Sequence, residues 1–275
     1  MFFSRMSYTW GAMGASWRVL KQDKELLVFP LISGIVCLMV MASFAVPLWM
    51  ADAWMPPGQD APIQQQVIFW GLMFLYYFAS FSVITFFNAA IIGAAVIRLS
   101  GGDPTIGDGL RSATSRLPQI LGWALVAATV GLILRVIEQY SERAGQFVAA
   151  ILGTAWAVTT FLVVPVLVVE GVGPIDAFKN STKMLRRTWG DQLMGNFGFV
   201  LMVPGIAVVF AGFALGGGAI GFAVAIPAVI YLLCLGLVQS ALQAIFQAAV
   251  YVYAARGEVP SAFEGGMLEG AMGQR

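Results

Sequence analysis

LLVFPLISGIVCLMVMASFAVPLWM, residues 26–50, runs from Leu26 to Met50 without a charged side chain. A helix that crosses ~30 Å of hydrocarbon needs about 20 apolar residues. The run is too long for a signal-peptide core of about 7–15 residues, so it reads as a retained span rather than a cleaved leader. Five more runs of this kind follow, at 67–97, 119–137, 147–169, 193–215 and 222–252. Composition agrees, because only 11% of the 275 residues are charged and 59% are hydrophobic, with a mean hydropathy of +0.84. Soluble domains carry roughly 25% charged residues. The expected fold class is therefore all-α: a polytopic bundle of six transmembrane helices, forming a single membrane domain over 1–275.

Short connections join the spans in pairs, ADAWMPPGQDAPIQQQ, EQYSERAGQ and GGGAIG, while longer polar stretches separate the pairs. Those longer stretches and the terminal segments hold thirteen of the fifteen basic residues; only Arg135 and Arg143 fall on the other side. The positive-inside rule then places both termini in the cytoplasm of a bacterial inner membrane. Net charge is +1, which gives no reason to expect a nucleic-acid partner.

The polar stretches carry helical periodicity. Met6, Trp10, Met13, Trp17 and Leu20 share one face; so do Ile106, Leu110, Ala113 and Leu117, and again Ile175, Phe178, Thr182, Leu185 and Trp189. Basic residues flank each face, the signature of a helix lying in the bilayer interface; packing on the span ends is the competing reading. The layout thus repeats as interfacial helix, span out, turn, span back, in a pseudo-threefold arrangement. The repeat units cover about 4–97, 103–169 and 174–256, with a tail at 257–275.

Three stretches, FFNAAIIGAAVIRLSGGDPTIGDGLRSATSRL, FLVVPVLVVEGVGPIDAFKNSTKML and AAVYVYAARGEVPSAF, resemble a family of bacterial six-helix membrane proteins catalogued as a domain of unknown function. The arrangement is more distantly similar to the membrane domain attached to some glycerophosphodiester phosphodiesterases. That activity belongs to a separate soluble domain, so the resemblance implies no catalytic residue here.

The residues themselves offer little chemistry. Histidine is absent, as are GxSxG, GxxxxGK[ST], HExxH and CxxC. Cys37 and Cys234 lie in apolar runs and read as small buried hydrophobes rather than a disulfide. Asp103, Asp108, Glu170, Asp176, Asp191 and Glu258 gather on the basic side and could hold a divalent cation. Capping and rim salt bridges explain them better; Asp103 before Pro104 and Asp176 after Pro174 are each placed to cap a helix. No catalytic residue, metal or cofactor is expected, and the chain is read as non-enzymatic.

Uncharged polarity remains inside the spans. Gln239, Gln243 and Gln247 form a stripe at four-residue spacing, and Thr85 and Asn88 lie in the matching half of the second span. They either tie helices together or line a wet cavity or pore. Pro30, Pro47, Pro165, Pro204 and Pro227 are expected to interrupt or kink five spans, and Gly195, Gly198, Gly212 and Gly216 to admit a close neighbour. The leading functional expectation is a membrane-organising or partner-binding protein whose basic face meets anionic lipid headgroups. Lys179, Lys183, Arg186, Arg187, Arg111, Arg116, Arg18 and Lys21 would make that contact. The alternative is a channel or transporter for a small solute along the polar stripe of spans two and six. A homo-oligomer fits either expectation.

Overall fold

A computed structural model describes residues 2–50, 56–58, 61–140, 143–188 and 219–263. The described regular structure is helical, in the order α1 (Phe2–Gln22), a 3-10 turn (Lys24–Leu27), α2 (Val28–Met50), α3 (Ile63–Leu99), α4 (Ile106–Thr114), α5 (Leu117–Tyr140), α6 (Arg143–Thr159), α7 (Val163–Glu170), α8 (Pro174–Thr188), α9 (Ala219–Arg256) and a last 3-10 turn (Ser261–Phe263). Five stretches are long and apolar enough to cross a membrane: Lys24–Met50, Ile63–Leu99, Leu117–Glu138, Val148–Glu170 and Ile226–Arg256. They coincide with five of the six expected runs. The run at 193–215 lies outside the described residues, and so do Trp189, Asp191, Pro204 and the four glycines named with it.

α3 and α9 have 37 and 38 residues, or about 55 Å each at ~1.5 Å per residue, which exceeds the hydrocarbon thickness. Their surplus builds the packed core, which gathers where the basic residues lie. Ala89, Ala90, Ile92 and Ala95 of α3 meet Leu162, Val166 and Leu167 and the Ala241–Val252 stretch of α9. Farther along the spans the large apolar side chains stand open, as at Trp49, Met50 and Ile63, each more than 70% exposed. Such a surface needs lipid or another protein against it. Cys234 belongs to this outer set and is exposed, against expectation, because α9 turns that face away from its neighbours; Cys37 is half-buried.

The three amphipathic segments form helices whose buried stripe is rotated from the one that periodicity selected but overlaps it. Leu20, Ala113 and Leu185 belong to both, Ile106 and Leu110 pack against the core, and the side chains of Met6 and Trp10 lie outside the described ones. On α1 the buried residues are Ala15, Ser16, Val19 and Leu20, while Trp17 is 42% exposed. On α8 they are Ala177, Ser181 and Leu185, while Ile175 is 55% exposed. On α4, Gly109 and Ala113 are buried, and Leu117 belongs to α5. Size explains the rotation. A Cβ on Gly109 would come within 2.5 Å of the Phe29 ring and 2.8 Å of the Ala90 carbonyl, so α4 lies almost backbone-to-backbone on α3. The small residues face the spans and several large ones point outward. Phe178 keeps its expected inward place, stacking on Trp156, which stacks on Trp123.

One turn recurs at the basic end. Gly101, Gly171 and Gly257 are the positive-φ glycines of the described chain, at +87°, +68° and +71°. They follow α3, α7 and α9, and proline stands three residues on each time: Pro104, Pro174 and Pro260. A left-handed glycine ends a helix without a Cβ penalty, and the proline prevents the old helix from resuming. The next short helix then starts from that proline or just after it.

The four described prolines of the spans take two kinds of position. Pro30 and Pro165 sit in the first turns of α2 and α7, where a missing N–H costs little, and Pro47 and Pro227 lie inside continuous helices. The fourth span breaks at Thr160–Leu162, three to five residues before Pro165, the turn that a proline's ring and missing N–H disturb, so the expected interruption is present there. There the buried Ser181 of α8 accepts a hydrogen bond from the Leu162 amide at 3.2 Å and donates to the Thr159 carbonyl at 2.9 Å. The opened backbone is thus closed by a side chain from another helix.

Ser181→Ala should lower unfolding free energy in detergent by about 1–3 kcal/mol, since it strands a buried amide. Ser112→Ala, which removes only a bond to the Asp108 carbonyl in its own helix, should be nearly neutral.

Asp23 is buried and is paired with Arg98, which also holds the 91% exposed Asp103. Arg98→Ala should cost about 3 kcal/mol because it leaves an unpaired buried carboxylate, and Asp103→Asn under about 1 kcal/mol. Chemical denaturation of both variants checks the order.

Asp103 does not cap α4. Thr105 does, accepting from the Asp108 amide at 3.2 Å while the Asp108 carboxylate accepts from the Thr105 amide at 3.0 Å. The Thr105 hydroxyl, and then its amide, hold the Asp108 carboxyl below the usual aspartate range. A lowered folded-state pKa stabilises above the unfolded value and is lost as pH falls through the folded one. The cap is therefore intact at neutral pH and opens only in acid. NMR titration should find the Asp108 carboxyl returning toward its ordinary value in Thr105→Val; an unchanged titration would contradict the assignment.

Candidate functional site

Hydrogen bonds between distant segments gather the basic residues at one end of the molecule. Arg18 donates to the Ala262 carbonyl at 2.8 Å, Arg116 to the Val168 carbonyl at 3.3 Å, and Arg256 approaches the Ser100 hydroxyl at 3.5 Å. Glu170, at the end of α7, accepts from Asn180 of α8 at 2.9 Å and from the buried Tyr251 hydroxyl of α9 at 3.3 Å. These contacts, with the Arg98 clamp, tie α1, α3, α5, α7, α8 and α9 together at the ends that carry the cations.

The eight cations expected to meet headgroups separate into groups. Arg18 and Arg116 each donate to a backbone carbonyl. Arg116 satisfies orphan oxygen near the C-terminus of α7, where the helix dipole favours a cation. It packs so closely on Gly171 that a Cβ there would lie 2.5 Å from it. Lys179 lies 3.5 Å from Asp176, and Lys21 sits over the Trp17 ring at 5.6 Å. Arg111, Lys183 and Arg186 are exposed and have no hydrogen-bond or ion-pair partner among the described residues. The Arg187 side chain lies outside the described ones.

The glutamine stripe meets two surroundings. Gln239 faces α1, lining a void of ≈ 10 Å³ with Met13, Ser16 and Phe246. That is room for about one water. Gln243 lies between this void and a larger groove, and Gln247 lines the groove alone. The drift is geometric: a step of four residues turns a helix by about 400°, so the stripe rotates about 80° over two steps.

The groove has a volume of ≈ 220 Å³ and is walled by α2, α3 and α9. Ser33, Asn88, Ser240, Gln243 and Gln247 line it with hydrogen-bonding groups, and Phe87 and Ile91 are among its apolar members. Its α3 wall runs from Ile84 to Ile91 and its α9 wall from Ser240 to Gln247. Each wall is about 11 Å long against ~30 Å of hydrocarbon, which makes a recess rather than a continuous path. Thr85, expected in the same set, is buried and does not line it. Ser33 of the first span was missed at the sequence level, since an isolated serine in an apolar run carries no periodic signal.

Gln247 is 8% exposed, and neither it nor Asn88 has a protein hydrogen-bond partner among the described residues. An amide left unpaired in an apolar medium costs about 2–7 kcal/mol. Among the described residues nothing bonds to these two amides, and the groove is the space beside them in which partners can stand. Asn88 of α3 and Ser240, Gln243 and Gln247 of α9 thus line one shared space.

No curated protein and no solved structure matches the chain. The model of DUF6159, a family of unknown function, matches residues 67–261, which takes in the α3 and α9 walls of the groove and all three glycine–proline turns. The chain belongs to that family.

Proposed function

We propose that this chain is a non-enzymatic integral protein of a bacterial inner membrane, crossing six times with both termini in the cytoplasm, whose basic end binds anionic lipid headgroups. The observation that carries the reading is the exposure of Arg111 on α4 and of Lys183 and Arg186 on α8, with no hydrogen-bond or ion-pair partner among the described residues, while α8 itself and α5, which follows α4, expose apolar side chains. Ile175 on α8 and Leu117 at the start of α5 are 55% and 41% exposed. Cations beside such side chains suit the boundary between headgroups and acyl chains. The recurrent glycine–proline turn supports a threefold repeat of helix and hairpin, and the apolar run at 193–215 would supply the sixth crossing.

Each basic residue near an anionic surface contributes about 1 kcal/mol. Replacing Arg111, Lys183 and Arg186 together with Gln should therefore weaken retention of phosphatidylglycerol by about a hundredfold, and the wild-type retention should fall as salt rises. Native mass spectrometry of protein extracted from defined mixed bilayers reads this directly. Equal retention by variant and wild type would end the proposal, and Lys179→Gln alone should have a smaller effect because Asp176 already faces it.

A further inference from the structure

We propose that the recess between α2, α3 and α9 is a binding site for an uncharged, hydroxyl-rich group, the size of one sugar ring. The volume of ≈ 220 Å³ equals about seven waters at ~30 Å³ each, too much space for a structural void and enough for one compact ligand. Five hydrogen-bonding side chains converge on it from three different spans: Ser33, Asn88, Ser240, Gln243 and Gln247.

Their chemistry selects the ligand. A carboxamide both donates and accepts, and so does a serine hydroxyl. A hydroxyl group needs that pairing, whereas a phosphate needs donors only and an ammonium needs acceptors only. Among the described residues no Asp, Glu, Lys or Arg lines the recess. Arg98, toward the basic end of α3, is ten residues from Asn88, or about 15 Å along the helix. A charged group would enter without a counter-ion, at a cost that five neutral dipoles in this setting do not offset. The Phe87 ring and the Ile91 and Ala244 side chains supply apolar wall, the surface that the C–H face of a sugar ring covers.

Access fits such a group in either of two forms. Ile84, Ser240 and Gln243 are exposed, so the recess is open at its rim. It also lies in the half of the spans nearer the basic end. A free sugar or the glycosyl head of a membrane lipid presents the same hydroxyl chemistry there.

The test uses the full chain, purified without any sugar-headed detergent and held in nanodiscs of phosphatidylethanolamine and phosphatidylglycerol. Unfolding midpoints are measured with free glucose, with glucosyl diacylglycerol added to the disc, and with neither. Because sugars stabilise many proteins by exclusion from their surfaces, the reading is the difference between wild type and variants at equal sugar. The wild type should show a saturable rise, and Gln247→Leu should require about tenfold more ligand, the effect of losing one good hydrogen bond. Ser240→Trp, which crowds the rim from an exposed position without removing a core contact, should abolish the rise while leaving the ligand-free midpoint in place. A rise with free glucose assigns a soluble ligand, and a rise with the glycolipid alone assigns a headgroup. Wild-type midpoints that move no more than those of Ser240→Trp with both additions would overturn the proposal.

Discussion

Hydrocarbon offers no hydrogen bonds, and the rest of the structure depends on that constraint. Each polar group that enters the spans has to find its partner within the protein or within enclosed water. The chain meets the demand in three ways. Where the fourth span opens at Thr160–Leu162, Ser181 reaches over from α8 and bonds to both sides of the break. Where Asp23 is buried beneath the start of the first span, Arg98 neutralises it from the end of the second. Where Asn88 and Gln247 face inward, a recess of ≈ 220 Å³ leaves room for something that bonds to them.

The same constraint explains how the molecule divides. The basic ends of the spans are packed by small residues and cross-tied by arginine, asparagine and tyrosine. The remaining lengths of the spans carry large apolar side chains turned outward, because lipid is as good a neighbour for leucine as another leucine is. Packing in a membrane is favoured where backbones approach closely, and Gly109 against Ala90 and Phe29 is such a place.

Much of this was legible in the sequence. Six apolar runs, their ends and the clustering of cations follow from counting, and five runs reappear as long apolar helices. Asn88 and Gln247 line a space between α2, α3 and α9, as the cost of exposing carboxamides to lipid favours, whereas Gln243 is exposed at its rim. The buried face of the amphipathic helices was legible only in part: Leu20, Ala113 and Leu185 are buried as expected, while Trp17 and Ile175 are exposed. Periodicity ranks side chains by apolarity, whereas close helix contact ranks them by size, so Ala177 and Ser181 won over Ile175. The G-x-x-P spacing at residues 101, 171 and 257 was visible too, though only its positive φ angles give it a meaning. Pairings such as Asp23 with Arg98, 75 residues apart, had no local signal at all. The cap at Thr105 was missed for a simpler reason: Asp103 before proline looked adequate, while the capping box began two residues later.

The central claim is that the polar side chains between α2, α3 and α9 face a shared hydrogen-bonding recess and not lipid. Spin labels at Ser33, Ser240 and Leu233, introduced one at a time and reconstituted in deuterated water, report solvent contact through electron spin-echo modulation. The account predicts strong deuterium contact at residues 33 and 240, with residue 233 dry and accessible to oxygen. Labels at 33 and 240 as dry as the one at 233 would contradict it.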